Sequence, residues 1–321
     1  MFLKLFENRK LVSGRRIRIF SRVFDIISVL LRIMICLLCW ITRRVQIFRG
    51  RWRLMRWLSN QQHLLKQIGP IKVKTALGFK MLVNPYEFIG RHIFIEGNYE
   101  PDCTNLFISL IRPGDCVLDV GANIGYFTLL SSGLVGLGGQ IHAFEASPQI
   151  MQTLDKNIKL NHVSNVVLHK EAVLDRLGVV EFYTGPEENL GLSSIQNIGH
   201  LYAVKTEVPC VSIDYLMPTL PAVRLVKIDV EGAEFLVTKG MHCLIERDKP
   251  YIILEFTDSL LRQMSCDALT FFEYLAKYNY SIYKICGNGI QVIHTPPTEQ
   301  CNILAVHKTK TLAISVNILV Q

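Results

Sequence analysis

Val117-Leu118-Asp119-Val120-Gly121-Ala122-Asn123-Ile124-Gly125-Tyr126-Phe127 is the stretch on which the fold turns. A short apolar run ends beside an acid, passes through a turn of small residues and enters a second apolar run of helical character. Gly121 and Gly125 let the backbone approach a ligand closely, and the start of the helix offers free N–H groups. The next apolar run, 140–144, ends on Glu145, 24 positions after Gly121. A carboxylate there accepts both hydroxyls of a ribose. Asn123 stands where dinucleotide oxidoreductases carry their second glycine, which argues against close approach of a pyrophosphate. Asp119 repels a phosphate and attracts a sulfonium cation. Together these residues favour S-adenosylmethionine over a nicotinamide dinucleotide.

Outward from this point the chain alternates strand and helix patterns. Strands are predicted at 116–120, 140–144, 166–169, 225–230, 251–256, 281–286 and 302–307. Helices are predicted at 125–135, 149–160, 234–239 and 269–277, with an inserted hairpin-like segment at 179–183 and 208–213. Alternation of this kind predicts an α/β fold, a doubly wound, mostly parallel seven-stranded sheet covered by helices. Ahead of it lie a hairpin at 71–84 and a short helix at 105–111. The organisation expected is an arm over 1–60, a lead-in hairpin and helix over 61–110, and the main domain over 111–321.

The chain has 321 residues, half of them hydrophobic, and a net charge of +8. That composition excludes a disordered or collagen-like protein. The charge is unevenly placed: residues 1–56 hold 14 Lys/Arg against two acids, so the arm is +12 and the remainder −4. Within the arm, residues 26–41 form an apolar run broken by Arg32, too short for the ~30 Å hydrocarbon core. Arg22, Asp25, Ser28, Arg32, Cys36, Cys39 and Arg43 recur every three or four positions and share one stripe of a helix. A basic helix lying in a membrane interface through residues 15–57 fits this pattern, with Trp40, Phe48, Trp52 and Trp57 among the arginines. Docking of the helix on the protein's own body is the plainer alternative, and an RNA-gripping arm is a third. The nine cysteines are scattered, and Cys36 and Cys39 read as small apolar residues rather than metal ligands.

Several separated motifs together resemble the FkbM-type family of class I, Rossmann-like, S-adenosylmethionine-dependent methyltransferases. They are Gly97-Asn98-Tyr99-Glu100, the turn at 119–125, Phe144-Glu145, 157–161, Glu171-Ala172-Val173, Ser193-Ser194 and Glu255. The most specific is Lys227-Ile228-Asp229-Val230-Glu231-Gly232-Ala233-Glu234. The resemblance covers about residues 71–307; Ala146, where the family usually has proline, departs from it, and the arm lies outside it.

The resemblance implies that Asp119, Gly121, Ala122, Asn123, Gly125 and Tyr126, with Glu100, cradle the methionine part of the cofactor. Glu145 and Ala146 would hold the ribose, Glu171 and Ala172 would lie by the adenine, and Asp229 would sit beside the sulfonium methyl. It also implies O-methylation of a saccharide, a lipid-linked glycan or a related metabolite. Asp229 and Glu231 are the candidate bases. Asp229, Glu231 and Glu234 fall within six positions and would suit a divalent metal that lowers the acceptor's pKa, whereas Glu234 also reads as a solvated first-turn acid. Ser193 and Ser194 lie in a loop suited to cover the acceptor, and His142 reads as structural. The expected enzyme is cytoplasmic and membrane-associated, with no nucleic-acid partner. An RNA ribose methyltransferase and a non-catalytic membrane-bound scaffold of the same fold are the rivals.

Overall fold

Apolar β-rich runs separated by glycine-marked turns build the core of the molecule. Its structure, a computed structural model, describes residues 14–44, 50–197, 204–264, 266–287, 289–312 and 318–319, with the backbone alone for 14–28 and 318–319. The chain opens with α1 (Gly14–Arg44), α2 (Arg51–Ser59) and α3 (Gln62–Ile68), then a hairpin of β1 (Ile71–Lys74) and β2 (Lys80–Val83). Two helices follow, α4 (Phe88–Glu96) and α5 (Pro101–Leu110). Next come β3 (Cys116–Val120), α6 (Tyr126–Val135), β4 (Gln140–Phe144), α7 (Pro148–Leu160) and β5 (Val166–His169). A small sheet, ordered β6-β8-β7, is made by β6 (Ala172–Val173), β7 (Gly178–Thr184) and β8 (Val204–Val211). It precedes α8 (Ile213–Leu216), β9 (Val223–Ile228), α9 (Glu234–Lys239), α10 (His242–Asp248) and β10 (Tyr251–Phe256). The chain closes with α11 (Asp258–Gln263), α12 (Ala268–Lys277), β11 (Tyr280–Cys286), β12 (Gly289–Ile293), β13 (Cys301–His307) and β14 (Ile318–Leu319).

Among the described residues the main sheet has nine strands rather than seven, in the order β14-β12-β11-β13-β10-β9-β3-β4-β5. All seven expected strands are in it. The two additions, β12 and β14, extend the edge beyond β11. Residues 289–293 hold too few consecutive apolar positions to stand out in the sequence, and β14 is two residues long. Strands β5, β4, β3, β9 and β10 run parallel, and β13 inserts antiparallel between β10 and β11. The chain leaves β3 toward β4 on one side and returns through β9 on the other. The crevice at this reversal, beyond the carboxyl ends of the strands, is where ligands enter such sheets.

Asn157 fastens the lead-in hairpin to the turn after β3. It is fully buried; its side chain accepts from the Leu82 N–H at 2.6 Å and donates to the Ile124 carbonyl at 2.8 Å.

The arm departs from expectation in its orientation. Ile35, Cys39, Leu58 and Leu65 are fully buried in the same cluster as Val117 and Leu225. The stripe of small and basic residues turns inward: Arg32 donates to the Gln67 carbonyl at 3.2 Å, Thr42 to that of Ile95, and Arg43 to that of Phe94. The opposite, wholly apolar face is the exposed one. This part of the helix therefore docks on the body through its polar stripe. The expected places of Arg22, Asp25, Ser28 and Phe48 lie outside the described side chains. Among the described residues no helix is long and apolar enough to cross a membrane.

Candidate functional site

A cavity of about 310 Å³ opens at the carboxyl ends of β3, β4, β9 and β10. Gly121 forms part of its floor at φ +82°, and a Cβ there would stand 1.8 Å from the Asp229 carbonyl oxygen. Asn123 follows at φ +50°, a left-handed conformation that asparagine tolerates. Its N–H donates to Glu145 at 2.9 Å, and the Ser147 N–H donates to the other carboxylate oxygen at 2.8 Å. The end of β4 thus fixes the Glu145 carboxyl against the turn after β3. Burial pushes that carboxyl up to about 7, against the pull of these two N–H groups.

Of the cofactor residues expected from sequence, Gly121, Asn123, Glu145, Ala146, Glu171, Ala172 and Asp229 line the cavity, as does Glu231. Others sit behind its wall. Asp119 is fully buried and accepts from the Thr128 hydroxyl at 2.5 Å; its second oxygen has no hydrogen-bond partner. Ala122 and Gly125 are turn backbone, and a Cβ on Gly125 would meet Leu154 at 2.5 Å. Tyr126 is buried, with its hydroxyl against Asn98. Glu100, at φ +42°, reaches Asn302 at 3.3 Å. The Gly121 cradle and the orphaned buried oxygen of Glu171 suit a nucleoside carrying hydroxyl and amine donors.

At the end of β9, Lys227 Nζ lies 2.8 Å from Asp229 and over the Phe127 ring at 4.9 Å from its centroid. Burial by itself would lower Lys227, but Asp229, Asp119 and Glu100 outweigh it and hold the ammonium above its ordinary value. Glu231 follows at φ +54°, and its carbonyl accepts from the buried Ser194 hydroxyl at 2.8 Å. Burial, then the charges of Asp229 and Glu255, push the Glu231 carboxyl up to about 9. Carboxylate oxygens of Asp229, Glu231 and Glu255 all lie within 4.8 Å of one another.

The acidic cluster differs from the one expected. Glu234 is not a solvated acid: it is buried, and it accepts from the N–H groups of Val230 at 3.2 Å and Gly232 at 3.0 Å. That leaves it as a brace for the loop, and Glu255 from β10 takes the third position. Gln300 orients Glu255 by donating at 2.6 Å. Sequence reasoning passed over Glu255 and Gln300 as site residues, along with the apolar wall of Phe88, Ile89, Leu190 and Leu192. Ser193 lines the cavity, while Ser194 holds the Glu231 backbone. His142 lies outside the cavity, stacked on His169 and bonded to it at 2.9 Å.

These buried acids set the sign of the pH dependence. Glu145 and Glu234 are raised to about 7 and Glu231 to about 9, from 4.5. Their stabilising contribution is complete below about 4.5 and is lost as pH rises through 7 and then 9, because the folded chain holds protons that the unfolded chain has released. Scanning calorimetry of the ligand-free protein should show its midpoint lower by about 5 °C at pH 9 than at pH 6.

The family model for the "Methyltransferase FkbM domain" matches residues 119–282, just over half of the chain. "Methyltransferase 1" of Beauveria bassiana is 27% identical over 194 residues, covering 53% of this chain and 75% of that protein. The 31-O-demethyl-FK506 methyltransferase FkbM of Streptomyces tacrolimicus is 29% identical over 185 residues, covering 48% and 68%. Among solved structures, methyltransferase FkbM from Methylobacillus flagellatus superposes with a TM-score of 0.40 at 16% identity, over 80% of this chain and 60% of that one.

Proposed function

Since the chain belongs to the FkbM methyltransferase family, whose members use S-adenosylmethionine, we propose that it methylates a hydroxyl of a saccharide, glycolipid or related metabolite. The observation that carries the choice of oxygen is the cluster of Asp229, Glu231 and Glu255 on the cavity wall. A hydroxyl must lose its proton as it gains a methyl group, so the reaction needs a base beside the donor. When bound, S-adenosylmethionine supplies a methyl group already activated on a sulfonium sulfur.

The chain's own residues do the rest. Glu145 accepts the ribose hydroxyls, and Glu171 with Ala172 borders the adenine. Asp229, oriented by Lys227, offers its carboxylate to the cationic end of the donor. Glu231, with a proton affinity above that of an ordinary carboxyl, takes the acceptor's proton once it is ionised. Glu255 shares that proton across the cluster. The rate should therefore climb from pH 7 toward 9 as Glu231 ionises. Lys227 already supplies a positive charge at Asp229, so no metal is invoked. Engagement of a membrane through residues 15–57, on its cytoplasmic side, completes the reading.

Metabolite and glycolipid profiling of cells lacking the protein tests it. A species lighter by one methyl group, restored by the wild-type chain and not by Glu231→Gln, is expected. Unchanged glycolipids and saccharides alongside under-methylated RNA ribose would overturn it in favour of the RNA reading.

A further inference from the structure

From Val29 to Trp40 the exposed face of α1 is apolar. Val29, Leu30, Ile33, Met34, Leu37 and Trp40 are each 40–59% exposed and follow helical spacing. On α2, Trp52 is 65% exposed and Trp57 44%, adding aromatic surface on the neighbouring helix. Arg44 lies over the Trp40 ring and Arg56 over the Trp52 ring, at 5.1 and 5.2 Å from the centroids. Between residues 26 and 86 there is no acid at all, against 11 Lys/Arg. Exposed apolar side chains accompanied by tryptophan–arginine pairs, with no acid in this stretch of sequence to repel an anion, complement a bilayer carrying negative headgroups.

Helix α4 ties this face to the cavity. Its last turn receives Thr42 and Arg43 of α1 through the carbonyls of Ile95 and Phe94. Its first residues, Phe88 and Ile89, line the cavity. Eight rises of ~1.5 Å between its nine residues put the two ends about 12 Å apart. The loop across the cavity is held to the same module, with Phe88 N–H donating to the Glu188 carbonyl at 2.9 Å and Lys66 pairing with Glu187 at 2.6 Å.

We infer that the 29–40 face of α1, with Trp52 and Trp57, seats in an anionic bilayer and holds the cavity mouth beside it. The acceptor is then an amphiphile: its hydroxylated head enters along Phe88, Ile89, Leu190 and Leu192 while its lipid chain stays in the membrane. This rests on the methyl-transfer reading above and names its substrate class.

The test compares wild type with a Leu30→Glu/Ile33→Glu/Leu37→Glu variant, whose changes fall on exposed positions. Flotation uses phosphatidylcholine vesicles with and without about one-third phosphatidylglycerol. Wild type should float at least about tenfold better on the anionic vesicles, less so in high salt, and the variant should not. With tritiated S-adenosylmethionine and a membrane fraction from cells lacking the protein, label should enter the organic phase, and several-fold less with the variant. Equal flotation of the two proteins, or a lipid-free dimer of wild type that the variant dissolves, would overturn the bilayer in favour of another partner. Label confined to the water-soluble phase would overturn the amphiphile. Calorimetry with S-adenosylmethionine separates the two readings: equal affinity in both proteins keeps methyl transfer intact whatever flotation shows, and no affinity in either counts against methyl transfer alone.

Discussion

Gly121→Ala should lose S-adenosylmethionine binding by about 100-fold, the size of loss that a misplacement of about 1 Å in such a site can bring. The reason is backbone against backbone. The new Cβ would stand 1.8 Å from the Asp229 carbonyl oxygen and 2.8 Å from its carbon. Neither atom belongs to a flexible side chain that can swing aside. Gly121 N–H donates to Phe144 at 3.0 Å and Asp229 N–H to Val120 at 3.0 Å, so β3, β4 and β9 are knotted together here. Relief requires the ends of β3 and β9 to part, which carries Asp229 away from the turn after β3. The φ of +82° adds the left-handed penalty of about 1–2 kcal/mol for a residue with a Cβ. Calorimetry and urea unfolding check both effects. Gly133→Ala is the control: that helical position has nothing within 4 Å, so binding should be unchanged and stability slightly improved.

Asp229→Ala comes next in size. Lys227 is 5% exposed and Asp229 24%, so removing the carboxylate strands a nearly buried ammonium. Breaking a buried pair from one side costs about 3–5 kcal/mol, and Lys227→Met should cost a comparable amount by leaving Asp119, Asp229 and Glu100 facing one another. The double variant should be less destabilised than the two singles summed, since neither member of the pair then faces a missing partner. Additive losses would show that the pair is not coupled. Asp229→Ala should also weaken S-adenosylmethionine more than its neutral demethylated product, S-adenosylhomocysteine. Equal weakening of both ligands would remove Asp229 from recognition of the cationic donor.

The parallel half of the sheet could be read in advance because each of its strands is a short, mostly apolar run with a polar residue in or just after its end. Glu255 escaped as a site residue for the same reason that its strand was easy to find. Tyr251-Ile252-Ile253-Leu254-Glu255-Phe256 is a buried run with no glycine turn, and only the neighbouring β9 and Gln300 give its acid a role. Glu234 was misread because a first-turn acid is usually solvated, and its burial depends on a loop whose N–H groups fold back onto it. The arm shows a different limit. Its two faces were plain in the sequence, but which one the body takes was not. The body presents the carbonyls of Gln67, Phe94 and Ile95, and donors from the polar stripe satisfy them.

One cluster holds both Ile35, near the start of the described chain, and Val306, near its end. About 270 residues separate them, which a ribosome adds in roughly 14–54 s at ~5–20 residues per second. The partners of the arm's inner stripe, Gln67, Phe94 and Ile95, are made early in that interval, but the core that Phe94 and Ile95 belong to is not complete until its end. The arm's apolar side, which never needed the body, is ready from the outset. On the bilayer docking inferred above, order of synthesis favours a lipid-first itinerary: the nascent chain can come to rest on a bilayer before its core has closed, and then finish folding there.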